Sequence, residues 1–354
     1  MKWKPDWPQA KENFIKWWNH EGPALLVTAP RREPIEPVPA PPEAPDVVAG
    51  WIDPDIRCNR AEHQMANTLF AGEAFPYFDT QIGPGSLGTL LGSEPNLVPG
   101  TVWYEPCIPD PDHYGPIRFE PEGNKWYGVH MALIEEGLRR ANGRYLVGIP
   151  DLIENIDTLA AMRGNEELLY DLIERPAWVR RCVDEINEAY FAAFDLMFER
   201  VRDEDGGNAF SAFGVWGPGR TAKVQCDFSC MISPAMFREF VVPGLAAQCE
   251  WLDYSVYHLD GTTATQHLDA LLEIESLNAI QWTPQAGRPG SGSPQWYDLY
   301  KTVLAGGKSV HVGAGHDEVL PLLDALGPKG VYIRTGAPDE DAARKLVETA
   351  RQYR

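Results

Sequence analysis

Residues 255–274 read SVYHLDGTTATQHLDALLEI. The first six alternate in the manner of a half-buried strand, Gly261 lets the chain turn, and TQHLDALLEI carries the spacing of a short helix. The same hand-over recurs on both sides of this stretch. FSAFGVW (210–216) leads to the helical pattern SPAMFREFVVPGLAAQCEWL (233–252). NAIQW (278–282) leads to QWYDLYKTVLAGG, SVHVGAG (309–315) to DEVLPLLDALG, and GVYIR (330–334) to DEDAARKLVETARQYR. Five consecutive strand-then-helix units predict parallel strands joined by helical crossovers. Upstream, GRYLVGIPD (143–151) supplies a further strand, and residues 165–201 supply two long helices separated near Pro176.

An open doubly wound sheet and a closed barrel both produce this alternation. No GxGxxG opens the first unit, which removes the usual reason for the open sheet. Polar and aromatic residues recur at strand ends: Asp151, Trp216, His258 with Asp260, Gln281 with Trp282, His316 and Arg334. In a barrel those positions converge on one mouth. The predicted fold class is therefore α/β, a (β/α)8 TIM barrel, built as one domain over residues 1–354. Residues 1–60 are expected to add a helix from about Pro8 to His20 and a Pro-rich arm that packs on the barrel. The arm, Arg31 to Pro54, is too rich in proline for regular sheet or helix.

Composition narrows the function classes. The chain has 31 basic and 51 acidic residues, a formal charge of −20, which disfavours phosphate backbones and anionic lipid surfaces as partners. The six cysteines form no regular framework, so reduced thiols in a cytoplasm fit better than a stapled secreted domain. Cys226 and Cys230 read as two buried or half-buried thiols. The N-terminus has no apolar core of a signal segment, and no long apolar run predicts a membrane span.

The chemistry is expected around SVYHLDG. Along a strand Val256, His258 and Asp260 point to one side and Tyr257 and Leu259 to the other. On the axis side, His258 and Asp260 can share a metal ion or a proton. His316, following Gly315 into a loop, is the third candidate ligand; His311 reads as a wall residue of opposite parity. Asp227 joins the catalytic candidates. Arg220, a fixed cation after the Gly217-Pro218-Gly219 turn, can clamp a substrate carboxylate or pair with Asp227. Trp216, Tyr257, Gln281, Trp282, Asp151 and Arg334 complete the expected substrate-binding set.

These residues, in this order, carry a resemblance. GIPDLIENIDTLAAMRGNEELLYDLIERPAWV (148–179), DFSCMISPAMFREFVVPGL (227–245), VYHLDG (256–261) and VHVGAGHDEV (310–319) resemble the uroporphyrinogen decarboxylase superfamily. That superfamily also contains zinc-dependent, corrinoid-linked methyltransferases, and its fold is a (β/α)8 barrel. YFDTQIGPGSLGTLLG (77–92) resembles the stretch in which the decarboxylase carries its functional Asp, which places Asp79 among the catalytic residues implied. The resemblance implies methyl transfer or a related lyase or decarboxylase step on a small molecule. It further implies a zinc site, a corrinoid protein as partner, and homodimers.

Departures from the pattern qualify those implications. The methyltransferases bind zinc through a His-x-Cys pair and a later Cys before Gly-Asn. Here the pair is His258-x-Asp260, Ala314 occupies the later Cys position, and His316 replaces the Asn. A carboxylate in place of a thiolate makes a harder site, less suited to a soft thiol acceptor. The decarboxylases need no cofactor and hold a many-carboxylate tetrapyrrole with an Arg-rich N-terminal segment, where this chain has only Arg31 and Arg32. A rival reading is a barrel that stacks a sugar or aromatic ring on Trp103, Trp216 and Trp282, with or without hydrolysis by Asp151 and Asp260.

Overall fold

The computed structural model describes residues 1–353. In chain order the strands are β1 (Ala24–Pro30), β2 (Thr68–Gly72), β3 (Tyr77–Phe78), β4 (Glu94–Val98), β5 (Thr101–Glu105), β6 (Leu146–Val147) and β7 (Asn208–Phe210). They continue with β8 (Val215–Gly217), β9 (Thr221–Gln225), β10 (Tyr254–Asp260), β11 (Ala279–Thr283), β12 (Ser309–Gly313) and β13 (Val331–Gly336). One sheet of seven runs β2-β1-β13-β12-β11-β10-β9, parallel throughout except for β2, which lies antiparallel on β1. β3 and β6 form a separate parallel pair, and a parallel bridge from Ile149 to Phe210 links that pair to β7. From β7 to β9 the link is made by a side chain: Asn208 accepts from the Thr221 amide at 2.8 Å and donates to its carbonyl at 3.0 Å. The architecture is thus a mixed α/β fold around a mostly parallel central sheet, compatible with a TIM-like arrangement.

Side-chain alternation follows the expected parity. Tyr257, Leu259, Ile280, Val310, Val312 and Ile333 join the large core between strands and helices, whereas Val256, Ala279, Leu26 and Tyr332 join a second, inner cluster. That inner cluster lies near the N-terminal ends of the strands and is closed by α1 (Trp7–Trp18). Trp7 meets Phe75 at 4.8 Å and Trp216 at 5.7 Å, and Trp17 meets Tyr332 at 5.0 Å. The indoles are satisfied as well as buried: Trp17 donates to Gly330 O at 3.2 Å and Trp18 to Trp216 O at 3.0 Å. Each aromatic buried here contributes about 3 kcal/mol of apolar transfer free energy. One end of the central sheet is therefore filled, and chemistry is left to the other.

Three expectations about elements need correction. FSAFGVW does not form one strand: it breaks into the antiparallel pair β7 and β8 with a turn between them. The strand beside β10 is instead TAKVQ, read from sequence as loop because it follows Gly-Pro-Gly-Arg. The 233–252 helix is two helices, Pro234–Phe240 and Val242–Trp251, interrupted where Pro243 cannot donate to the preceding turn. In the Pro-rich arm, the proline-free stretch Val47–Ile52 is helical, capped by Asp46 accepting from Ala49 N at 2.8 Å.

Candidate functional site

At the C-terminal end of β10 His258 and Asp260 face the interior, and Asp227 reaches the same point from the turn after β9. One ligand atom from each of Asp227, His258 and Asp260 lies within 4.8 Å of the other two. His258 Nε2 stands 4.0 Å from Asp260 Oδ2. Gly261 then takes φ +78°, a left-handed conformation that turns the chain away at once and that other residues adopt only with strain.

Gln281 determines which nitrogen of His258 carries the proton. Its Nε2 is committed to Trp282 O at 2.8 Å and Thr283 Oγ1 at 2.9 Å, so its Oε1 is the atom that meets the imidazole. His258 Nδ1–H therefore donates to Gln281 Oε1, and Nε2 presents a lone pair to two carboxylates. Burial lowers the His258 pKa and Lys223 lowers it further; the Gln281 bond and Asp260 act in the opposite direction. Burial raises the Asp227 pKa, Lys223 opposes this, and Asp260 adds to it. A lone pair and two carboxylates facing one another favour a cation between them.

Behind the triad lies a buried polar network. Lys223 Nζ sits 2.8 Å from Asp151 Oδ2, both side chains almost fully enclosed, and also donates to Gln225 Oε1. Gln225 Nε2 donates to Asp227 Oδ2 at 3.0 Å and Asp157 Oδ2 at 3.1 Å. Asp157 in turn accepts from the amides of Asp227 at 2.7 Å and Phe228 at 2.9 Å. Glu154 accepts from Gln225 N at 3.0 Å, and its burial pushes its pKa up to about 8. The backbone here is strained: Ile153 and Asn155 have φ +46° and +63°, and a β-branched residue in that region is a true outlier. The 151–157 segment that carries three acids is held in place against its local preference.

The triad and network open into a cleft of about 720 Å3 roofed by the β4–β5 hairpin, with Trp103, Tyr104, Ile153, Phe213 and Met231 supplying apolar walls. Trp103 is 66% exposed at its rim. The size and mixed lining suit a small organic molecule.

The structure brings together only part of the predicted site. Asp227, His258, Asp260, Gln281 and Asp151 converge on this cleft or its wall. His316 is not in the group whose ligand atoms meet among the described residues; Asp227 stands in that role. It opens a short helical turn beyond β12, past the point where the strand aims residues inward. His311, read as a wall residue, does face inward, 5.3 Å from Phe213 and 4.2 Å from Tyr332, and burial drives its pKa down to about 3.

Five expected substrate contacts, and Asp79 of the expected catalytic set, lie elsewhere. Trp216 is buried against α1 at the opposite end, its indole donating to Asp203 at 2.9 Å. Arg220 pairs with Asp195 at 2.9 Å and lies over Trp251, because it precedes β9 rather than following it. Tyr257 and Trp282 point into the outer core, as strand parity requires, with Trp282 against Trp296. Arg334 and Asp79 line a second pocket beside β1 and β3. Sequence reasoning missed Lys223, Gln225 and Asp157. The alternation Ala222-Lys223-Val224-Gln225 was the available signal, masked by the turn residues around it.

No protein-family model matches the chain, and no curated protein matches it. Among solved structures, a methyltransferase from Methanosarcina mazei is similar over 97% of this chain and 98% of that one, with a TM-score of 0.61 and 12% identity. The likeness extends over 97% of the chain and concerns the fold.

Proposed function

We propose that the chain is a divergent TIM-barrel enzyme of the uroporphyrinogen decarboxylase type that transfers a methyl group from a small O- or N-methyl compound, with Asp227, His258 and Asp260 as ligands of a divalent ion. The observation that carries this reading is the convergence of one imidazole and two carboxylates within 4.8 Å, with His258 and Asp227 lining the cleft. Three protein ligands with an open side match the pattern of a catalytic rather than a structural site. Ligand atoms 2.0–2.2 Å from a tetrahedral ion stand about 3.3–3.6 Å apart, so closing the triad on an ion requires its side chains to draw together by about 1 Å. Two oxygens and one nitrogen favour a harder ion than a thiolate set does, zinc included. Such an ion, when bound, supplies positive charge to the oxygen or nitrogen that gives up the methyl group.

The chain's own residues do the rest. Gln281 fixes the His258 tautomer so that Nε2 stays available. Lys223, through Gln225, orients Asp227, and Asp157 fixes the Asp227 backbone through its amide. Trp103 and Tyr104 offer flat faces to an aromatic or methylammonium group and exclude water above it. The methyl acceptor in this reading is a corrinoid held by a partner protein at the open mouth. The rival, paired-carboxylate hydrolysis by Asp151 and Asp260, is disfavoured because the Asp151 carboxylate is engaged by Lys223.

The test is methylation of reduced cobalamin, followed by its absorbance, with methoxylated aromatics and methylamines as donors. Turnover that disappears in His258→Ala supports the reading. Release of sugars or of carbon dioxide, with no cobalamin methylation by any donor, overturns it.

A further inference from the structure

A second pocket of about 440 Å3 lies on the same inward face of the sheet as the triad, beside β1, β3 and β13. The turn between β7 and β8 divides the two cavities. Phe213 lines the larger cleft and touches His258 at 5.4 Å, while Gly214 lines the smaller pocket. Tyr332 holds this partition by donating to Gly214 O at 2.8 Å and Phe213 O at 3.2 Å.

The small pocket reverses the sign of the protein. Arg57, Arg60 and Arg334 line it against a single acid, Asp79, in a chain of formal charge −20. None of the three guanidinium groups has a carboxylate within 4.0 Å among the described residues. Arg57 is fixed by donating to the carbonyls of Trp51 at 2.7 Å, Gln81 at 2.9 Å and Asp79 at 2.7 Å. Asp79 is occupied by Gln81, whose amide and Nε2 donate to its two oxygens at 3.0 and 2.9 Å. Arg334 ends the inward row of β13 with its side chain open to the pocket. Tyr77 is its side-chain hydrogen-bond partner, and a guanidinium with no carboxylate beside it matches the planar fork of a carboxylate. The remaining wall is mixed: Met65, Phe70, Phe75 and Phe78 offer apolar faces to a hydrocarbon body, and Thr28, Gln64, Thr68 and Tyr77 add polar groups between them.

We infer that this pocket is a binding site for a small carboxylate with an apolar body, its carboxylate on Arg334 and Arg60 and its ring or chain against the phenylalanines. Phosphate is the weaker fit, since it has no apolar body to cover the faces of Phe70, Phe75 and Phe78. The inference stands apart from the methyl-transfer reading and survives its failure.

Calorimetric titration of the full chain with benzoate, benzyl alcohol and inorganic phosphate tests it. Benzoate is expected to bind, neutral benzyl alcohol to bind at least about ten-fold more weakly, and phosphate not to compete. Arg334→Gln is expected to weaken benzoate about ten-fold or more, Arg334→Lys to restore part of the loss, and Arg220→Gln, a charge removed elsewhere, to change nothing. Matching urea midpoints for the variants show that they fold. The inference is overturned by no benzoate binding at up to about 10 mM, by equal affinity for benzyl alcohol, by phosphate binding where benzoate does not, or by an unchanged Arg334→Gln variant.

Discussion

Replacing Lys223 by Met removes an almost fully enclosed cation beside the triad, and the structure fixes what that costs. The Lys223–Asp151 pair is 2.8 Å long with side-chain exposures of 2% and 5%, so neither group can turn to water when its partner is lost. Asp151 Oδ1 already has no hydrogen-bond partner, and Oδ2 would lose Lys223. Stranding one member of a buried ion pair costs about 3–5 kcal/mol. Lys223 also holds down the pKa values of Glu154 and Asp227, so the upper half of that range is expected. Lys223→Met with Asp151→Asn removes the stranded charge and should recover about 2 kcal/mol or more of the loss. Equilibrium urea unfolding at neutral pH measures both, provided the slope stays the same across variants. A second signature follows from electrostatics: without Lys223 the His258 pKa rises, visible in its imidazole NMR titration. A Lys223→Met protein within about 0.5 kcal/mol of wild type, or a double variant no better than the single, refutes the reasoning.

Three further outcomes are expected. Gln281→Leu removes the acceptor that sets the His258 tautomer and should weaken divalent-ion affinity about 10–100-fold by chelator competition, with little change in fold. Glu154 has a folded pKa raised from 4.5 to about 8, so the native state holds a proton that the unfolded chain releases; its contribution falls as pH rises from about 4.5 and levels off above about 8. Glu154→Gln should therefore gain on wild type progressively across that window in urea midpoints, and a pH-independent difference would contradict it. Phe14→Ala opens the aromatic seal between α1 and the sheet, where Phe14 meets Phe75 at 5.8 Å and Tyr332 at 6.1 Å, and should cost about 3–5 kcal/mol in the same assay.

What could be read from the sequence, and what could not, separates along physical lines. Strand β10 was legible because its parity, its Gly261 stop and its His-x-Asp pair all point the same way, and the units after it repeat the pattern. Parity alone, applied strictly, would have turned Tyr257 and Trp282 outward. The central strand β9 was hidden because Gly-Pro-Gly-Arg before it and Cys-Asp-Phe-Ser-Cys after it carry turn and loop signals, and with it went Lys223 and Gln225. Arg220 and Trp216 were misplaced for the same reason: once TAKVQ is the strand, they lie before its start, Trp216 against α1 and Arg220 against Asp195 and Trp251. Asp157 and the Arg57–Arg60–Arg334 group are assembled from segments far apart in the chain. No local pattern encodes such meetings; only the packed fold does.

The proposed chemistry requires Asp227, His258 and Asp260 to share one ion. Measuring divalent metal per chain by elemental mass spectrometry, on tag-free protein dialysed against zinc and then against metal-free buffer, tests it directly. One equivalent retained by wild type and lost in His258→Ala and in Asp260→Ala is the predicted result. Protein that retains no metal, or variants that keep the full equivalent, would contradict it.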